Sequence, residues 1–153
     1  YFKFSIFSKR NGWTWKKYLS PTKNREYDPT VGLYKTKLLV EYPELMDIFK
    51  EYSNIHFPNL EWKQVTINKM ESGNSIKEHV DKINVGDSVL VAFGDYEGGL
   101  TYVEGMGEID CRTQITRFNG SKLKHSVSVV HGGKRYSLVF YNNKTKPMAD
   151  YQL

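Results

Sequence analysis

Three β-rich runs follow one another in QITRFNGSKLKHSVSVVHGGKRYSLVFY, residues 114–141. They cover residues 114–118, 126–130 and 135–141, where β-branched and aromatic residues are frequent. The pairs Asn119-Gly120 and Gly132-Gly133 separate the runs, and such pairs are typical of turns. This stretch therefore predicts short strands that are joined by tight turns.

The same pattern extends towards the N-terminus as far as residue 62. Further β-rich runs cover residues 62–70, 88–93 and 100–103, and turn signals lie at residues 72–74, 84–87 and 98–99. Pro43 suits the first turn of a helix over residues 43–52, whose apolar face comprises Leu45, Ile48, Phe49 and Tyr52. Six short strands after one helix favour a mainly β fold, a sandwich or open barrel backed by a helix.

The composition is that of one folded domain. The chain has 153 residues, of which 39% are hydrophobic and 25% charged, and this suffices for one core. We expect a single domain over residues 1–153, with a basic supporting region at 1–60 and a β core at 61–143. No apolar stretch reaches the ~18 residues of a membrane span. The single cysteine, Cys111, excludes an internal disulfide framework and favours an intracellular protein.

The excess positive charge lies in the first third of the chain. Residues 1–50 carry ten basic and five acidic residues, whereas residues 51–153 carry twelve of each. Basic and aromatic residues are interleaved in KRNGWTWKKY, residues 9–18, and this mixture suits contact with phosphates and stacked bases. A solvated surface whose tryptophans anchor the core is the alternative, and composition leaves both interpretations open.

Three residues among the predicted strands have the chemistry of a metal site. His79 and Asp81 are two residues apart, so in an extended segment their side chains share one face. His125, from a distant strand, would add a second imidazole. Two histidines and one carboxylate are the ligand set typical of non-haem Fe(II) oxygenases.

Arg135 is the fourth candidate residue. On a strand it shares one face with Ser137 and Val139. An arginine directed into an apolar interior is a costly charge unless a partner compensates it. A bidentate carboxylate, with a further hydrogen bond from the Ser137 hydroxyl, would do so. The alternative is an outward-facing arginine on a polar sheet surface.

Together, His79-x-Asp81, His125 and Arg135-x-Ser137 resemble the signature of the 2-oxoglutarate and Fe(II)-dependent oxygenases. The resemblance covers residues 65–142. It implies a double-stranded β-helix, or jelly-roll, with a flanking N-terminal helix. It also implies that His79, Asp81 and His125 hold Fe(II), and that Arg135 and Ser137 bind the far carboxylate of 2-oxoglutarate. The implied reaction uses O2, converts 2-oxoglutarate to succinate and hydroxylates a substrate C–H bond.

Within this superfamily, HVDKIN at residues 79–84 and GDYEGGL at 94–100 resemble the TET and J-binding-protein branch, in its compact microbial or viral form. Those enzymes oxidise the methyl group of 5-methylcytosine or thymine in DNA, so the resemblance implies DNA as the partner. Asn68 lies eleven residues before His79, where AlkB-type demethylases place an asparagine that contacts 2-oxoglutarate. Met70 stands where those enzymes have a tyrosine.

Two other functions stay open. Gly98-Gly99-Leu100-Thr101 is similar to the Gly-Gly-Glu-Thr run of prolyl and other protein hydroxylases, with Leu100 in place of the acidic residue. A protein side-chain hydroxylase that acts on a peptide is therefore the rival enzyme. A β-sandwich module that binds nucleic acid without catalysis is the other alternative. His131 lies four residues before Arg135 and is predicted to occupy a turn rather than bind iron.

Overall fold

The computed structural model of the protein describes residues 1–9 and 27–144. Apart from Lys9, the basic and aromatic stretch at residues 9–18 lies outside the described residues, and so does its predicted role. The helices are α1 (Lys37–Glu41) and α2 (Glu44–His56). The strands in chain order are β1 (Phe2–Ser5), β2 (Phe7–Ser8), β3 (Tyr27–Asp28), β4 (Leu33–Lys35), β5 (Gln64–Glu71), β6 (Ile76–His79), β7 (Asn84–Phe93), β8 (Tyr96–Gly98), β9 (Thr101–Val103), β10 (Gly107–Ile109), β11 (Thr116–Phe118), β12 (His125–Val127) and β13 (Val130–Asn143).

Contacts between residues divide the chain into two compact units. One comprises Tyr1–Phe4 and Leu60–Asn143, and the other comprises Ser5–Asn59 with Lys144–Leu153. The predicted β core at 61–143 falls in the first unit. Neither described helix combines the length and the apolar character that a membrane crossing requires.

In the second unit, helix α2 confirms the predicted helix and extends it to His56. Phe49 and Ser53 are the buried residues of this helix. They are four residues apart and therefore lie on the same side of it. The prediction that Ile48 belongs to the same apolar face is wrong, since its side chain is 53% exposed. It lies about 100° around the helix from Phe49, beyond the buried face.

The first unit contains two sheets. The larger sheet has the order β1-β5-β13-β7-β11, with β8 also paired to β13, and the smaller has the order β10-β9-β12-β6. Their inner faces share one core: Leu90, Ala92 and Phe118 from the larger sheet pack with Val103 and Ile109 from the smaller. The first unit is therefore a β-sandwich, and the predicted mainly β class is confirmed.

Strand β13 corrects two predictions. Gly132-Gly133 lies inside this strand rather than in a turn, and exposed His131 is therefore a strand residue. Both glycines have positive φ, 67° and 74°, and the pairing with β8 changes register between His131 and Gly133. The glycines thus form a bulge, for which positive φ is as suitable as for a turn.

The start of β7 corrects another predicted turn, at residues 84–87. Asn84 and Val85 pair with Asn143 and Asn142 of β13, so the segment is a strand. The pairing is irregular between Phe140 and Asn142, and on β7 the positive φ of Gly86 lies beside this irregularity. A glycine among polar residues therefore marked a bulge here as well.

The bulge in β13 permits a matched test. Gly133→Ala is expected to lower the free energy of unfolding by about 3–4 kcal/mol, because a Cβ there would overlap the carbonyl oxygen of Asp95 in addition to the strain of positive φ. Gly132→Ala should cost about 1–2 kcal/mol, since a Cβ at Gly132 meets no atom within 4 Å and only the strain remains. Urea unfolding measures both values. Equal losses would show that Asp95 does not approach Gly133 in this way.

Candidate metal centre and cavity

His79, Asp81 and His125 come together at one place on the smaller sheet. His79 is the last residue of β6 and His125 is the first of β12. The two strands pair antiparallel with His79 opposite His125, so residues distant in sequence become neighbours. Asp81 follows β6, and its backbone N–H donates to the carbonyl of Gly120 at 2.8 Å. The backbone thus positions all three side chains.

The ligand atoms of the three residues converge. One atom from each lies within 4.8 Å of the others. Asp81 Oδ2 is 3.0 Å from His125 Nε2, and Asp81 Oδ1 is 3.6 Å from His79 Nε2. The His125 side chain is 10% exposed, whereas that of His79 is 40% exposed. The cluster therefore has a buried side and an open side.

Backbone carbonyls determine which nitrogen of each ring faces the cluster. His79 Nδ1 lies 2.7 Å from the carbonyl oxygen of Lys77, and His125 Nδ1 lies 2.9 Å from that of Leu123. A carbonyl oxygen only accepts, so each Nδ1 carries its hydrogen and donates it. In the neutral rings, both Nε2 atoms then present lone pairs towards Asp81. This arrangement of a second ring hydrogen bond is usual for metal-binding histidines.

The cluster fits a divalent metal ion. Two nitrogen lone pairs and a carboxylate all attract positive charge, and they approach closely without repulsion only when a proton or a cation lies among them. Imidazole and carboxylate together suit first-row ions such as Fe(II), and two histidines with one carboxylate leave further coordination positions open.

Gly120 borders the cluster, and the sequence identified it only as part of a turn. A Cβ at Gly120 would lie 3.3 Å from Asp81 Oδ2 and 3.5 Å from His125 Cε1. A side chain would therefore crowd two of the three candidate ligands. The sequence carried no signal for this proximity, because an Asn-Gly pair is equally suited to any tight turn.

The hydrogen bond between Asp81 and His125 shifts the pKa of both groups. Burial is the largest single influence and acts against the charged form of each group, but the bond between them and the neighbouring charges together outweigh it. The pKa of His125 is raised above 6.5 by this bond, with the Leu123 carbonyl contributing. The pKa of Asp81 is lowered below 3.8 by the same bond and by the charges of His125, His79 and Lys3. Without a metal ion and below this raised pKa, the proton on His125 occupies the place that a cation would take.

Metal binding should therefore depend on pH. Because an ion must displace the proton from His125, we expect affinity for Mn(II) to fall by up to about tenfold per pH unit below the raised pKa of His125. Calorimetric titration between pH 8 and pH 5 in two buffers of different protonation enthalpy measures the affinity and the protons released. An affinity that stays constant over this range would contradict the proton displacement.

A cavity of about 460 Å³ opens beside the cluster. Both sheets contribute to its walls, which combine apolar, aromatic and hydroxyl side chains. The lining residues are Tyr1, Lys3, Thr66, Asn68, Ile76, His79, Val80, Asp81, Lys82, Ile83, Asn84, Ser88, Leu90, Thr101, Phe118, His125, Ser126, Val127, Val139 and Tyr141.

Arg135 lies behind one wall of this cavity. It is 1% exposed, so the alternative of an outward-facing arginine is wrong. Its guanidinium donates to the Gly99 carbonyl at 3.1 Å and to Thr101 Oγ1 at 3.2 Å, and its Nη1 lies 3.5 Å from Met70 Sδ. Thr101 lines the cavity. Burial lowers the pKa of Arg135, and within residues 1–9 and 27–144 no carboxylate forms an ion pair with it.

Asn68 and Ser137 lie close to each other on the larger sheet. They are directly opposite in the pairing of β5 with β13. Both are buried, and Asn68 Nδ2 lies 3.5 Å from Ser137 Oγ. Asn68 also lines the cavity. The structure thus brings the expected co-substrate residues to one region, with Asn68 at the cavity surface and Arg135 behind it.

Comparison with known proteins identifies the fold. No protein-family model matches the sequence, and no curated protein is significantly similar to it. Among solved structures, NgTET1 in complex with 5mC DNA is similar, with a TM-score of 0.52 and 22% identity over 72% of this chain and 47% of that chain. An oxidoreductase of the 2OG-Fe(II) oxygenase family from Burkholderia pseudomallei is similar, with a TM-score of 0.51 and 17% identity over 94% of this chain and 67% of that chain.

A prolyl-4-hydroxylase from Pseudomonas putida also matches, with a TM-score of 0.43 and 17% identity over 71% of this chain and 66% of that chain. The chain spans about half the length of the NgTET1 chain. At these identities the likeness concerns the fold. The predicted double-stranded β-helix of the 2-oxoglutarate and Fe(II)-dependent oxygenases is confirmed.

Proposed function

We propose that the protein is an Fe(II)- and 2-oxoglutarate-dependent dioxygenase that hydroxylates the methyl group of a DNA base, 5-methylcytosine or thymine. The observation that carries this proposal is the convergence of two Nε2 atoms and the Asp81 carboxylate beside a cavity, in a fold shared with such oxygenases. His79, Asp81 and His125 would hold the iron. When bound, the iron with 2-oxoglutarate and O2 supplies the oxidation of a C–H bond and the release of succinate.

The surroundings of Arg135 support the co-substrate part of the proposal. A buried guanidinium without an ion-pair partner is costly, and a bound carboxylate would compensate it. Arg135 already donates to Thr101, which faces the cavity. A carboxylate at this point of the wall would therefore lie beside the guanidinium, with Asn68 and Ser137 as neutral hydrogen-bonding groups nearby.

The cavity and its rim support a nucleic-acid base as the substrate. A volume of about 460 Å³ lies within the usual range of small-molecule sites, roughly 300–1,000 Å³, so it accommodates one planar ring with a co-substrate. The rings of Phe118 and Tyr141 line it. Lys3 and Lys82 are exposed and line the same cavity, so they can contact phosphates next to a base that is flipped out of the duplex.

The proposal is tested by incubating the protein with Fe(II), ascorbate, 2-oxoglutarate and a duplex that contains 5-methylcytosine, then analysing nucleosides by mass spectrometry. We expect hydroxymethylated base to form. We also expect the methylated duplex to yield more succinate than the unmethylated duplex, by an amount equal to the hydroxymethylated base. Both duplexes contain thymine, so oxidation of thymine is measured in the same nucleoside digest. N-oxalylglycine, an unreactive analogue of 2-oxoglutarate, should suppress both products.

Parallel reactions with proline-containing peptides test the rival enzyme. Succinate released only with peptides, together with a mass increase of one oxygen atom, would identify a protein hydroxylase and contradict the DNA substrate. No succinate above the metal-free control with any substrate would favour a β-sandwich binding module without catalysis.

A further inference from the structure

Ser88 is a buried hydroxyl in the cavity wall. It lies on β7, is 2% exposed and lines the cavity. Its Oγ has no hydrogen-bond partner in the part of the chain that the structure describes. Buried polar groups are almost always hydrogen-bonded, and one without a partner destabilises the folded state. A hydroxyl that faces a cavity without a protein partner can form a hydrogen bond with a ligand group that enters the cavity.

The position of Ser88 favours the primary substrate over the co-substrate. On β7, the residue opposite Ser137 is Ala92, four residues from Ser88. At about 3.3 Å per residue, Ser88 lies ~13 Å along the strand from the region of Ser137. A far carboxylate beside Arg135 and Ser137 is therefore remote from Ser88.

Ser88 lies instead on the side of the metal centre. It pairs with Phe118 across β7 and β11. The Phe118 ring is 5.0 Å from the His125 ring, measured between centroids. A group bound against Ser88 would thus lie beside Phe118, close to a candidate metal ligand, where the oxidised methyl group must be placed.

We propose that Ser88 determines substrate specificity by forming a hydrogen bond with the polar edge of the base whose methyl group is oxidised. This inference rests on the proposed function. A serine hydroxyl both donates and accepts, so it can accept from the exocyclic amine of 5-methylcytosine or donate to a ring carbonyl. Two nearby hydroxyls in the wall, those of Thr66 and Tyr141, already bond to each other at 3.0 Å.

The test compares the wild-type protein with Ser88→Ala, loaded with Mn(II) and 2-oxoglutarate so that binding is measured without turnover. Two duplexes are used, one with 5-methylcytosine and one with an abasic site at the same position. We expect Ser88→Ala to lower the preference for the methylated duplex about tenfold. Its affinities for Mn(II) and 2-oxoglutarate should stay unchanged. Ser53→Ala is the control, because Ser53 is a buried serine whose hydroxyl donates to the Lys50 carbonyl within α2.

A measurement on the ligand-free protein adds a second readout. Removal of a hydroxyl without a partner should leave the melting temperature of Ser88→Ala unchanged or higher. A clear fall in that temperature would reveal a structural partner for Ser88 and overturn the inference. An unchanged duplex preference, in a preparation that does hydroxymethylate DNA, would also overturn it and leave the proposed function intact. Failure of the wild-type protein to oxidise any DNA base would instead remove the proposed function itself.

Discussion

Asp81→Ala is expected to abolish succinate formation and to weaken Fe(II) binding more than about 100-fold. Even outer partners of metal ligands contribute 10–100-fold in affinity, and Asp81 supplies the negative charge among the three candidate ligands. Anaerobic titration with Fe(II), and aerobic titration with Mn(II), measures the loss. The proton that His125 shares with Asp81 in the ligand-free protein would also lose its partner, so the pKa of His125 should fall.

Asp87→Ala is the matched control for this experiment. Asp87 is a partly exposed aspartate in β7 whose carboxylate pairs with Arg117 at 2.9 Å, and it is not part of the cluster. Its removal should change metal affinity and turnover less than twofold, because Asp87 belongs neither to the candidate ligands nor to the cavity lining. Asp81→Ala protein that still binds Fe(II) and releases succinate would eliminate the proposed metal centre. Duplex affinity that is unchanged in Asp81→Ala, with no turnover in the wild type, would favour the binding module.

Arg135→Met is expected to separate co-substrate binding from stability. Loss of the guanidinium should raise the Kd for 2-oxoglutarate about 100-fold or more, since a buried charge-assisted contact contributes roughly 3 kcal/mol. The free energy of unfolding of the ligand-free protein should change by no more than about 1 kcal/mol. Replacement of a buried unpaired charge by an apolar side chain of similar length offsets the lost bonds to Gly99 and Thr101.

Calorimetry with 2-oxoglutarate and urea unfolding measure the two quantities for Arg135→Met. Lys134→Met is the control, because Lys134 is the exposed neighbour of Arg135 on the same strand. Unchanged 2-oxoglutarate affinity together with a large loss of stability would show that Arg135 is purely structural. In that case its bonds to Gly99, Thr101 and Met70 would account for its burial.

The sequence predicted those features of the candidate site that depend on local geometry. The spacing of His79 and Asp81 implied a shared face, and alternation along the last strand grouped Arg135 with Ser137. The meeting of His125 with His79 depends on the pairing of β12 with β6. No local pattern encodes that pairing, and the resemblance to oxygenases suggested it.

The features that sequence reasoning missed depend on non-local contacts. Gly132-Gly133 is compatible with a turn or a bulge, and pairing with β8 selects the bulge. Gly120 and Ser88 carry no unusual sequence signal. Gly120 matters because it lies next to Asp81 and His125 in the folded protein. Ser88 matters because it lines the cavity. Lone small residues of this kind are identified only once the strands are in register.

The unequal accessibility of the two imidazoles has a consequence for how an ion is exchanged. The side chain of His79 is 40% exposed and that of His125 is 10% exposed. An ion can therefore exchange with solvent on the His79 side while His125 stays enclosed. No strand has to separate, so exchange need not wait for local opening of the sheet. For the proposed metal centre, we therefore expect a chelator to remove the ion while the architecture stays intact, and we expect reloading to need no refolding.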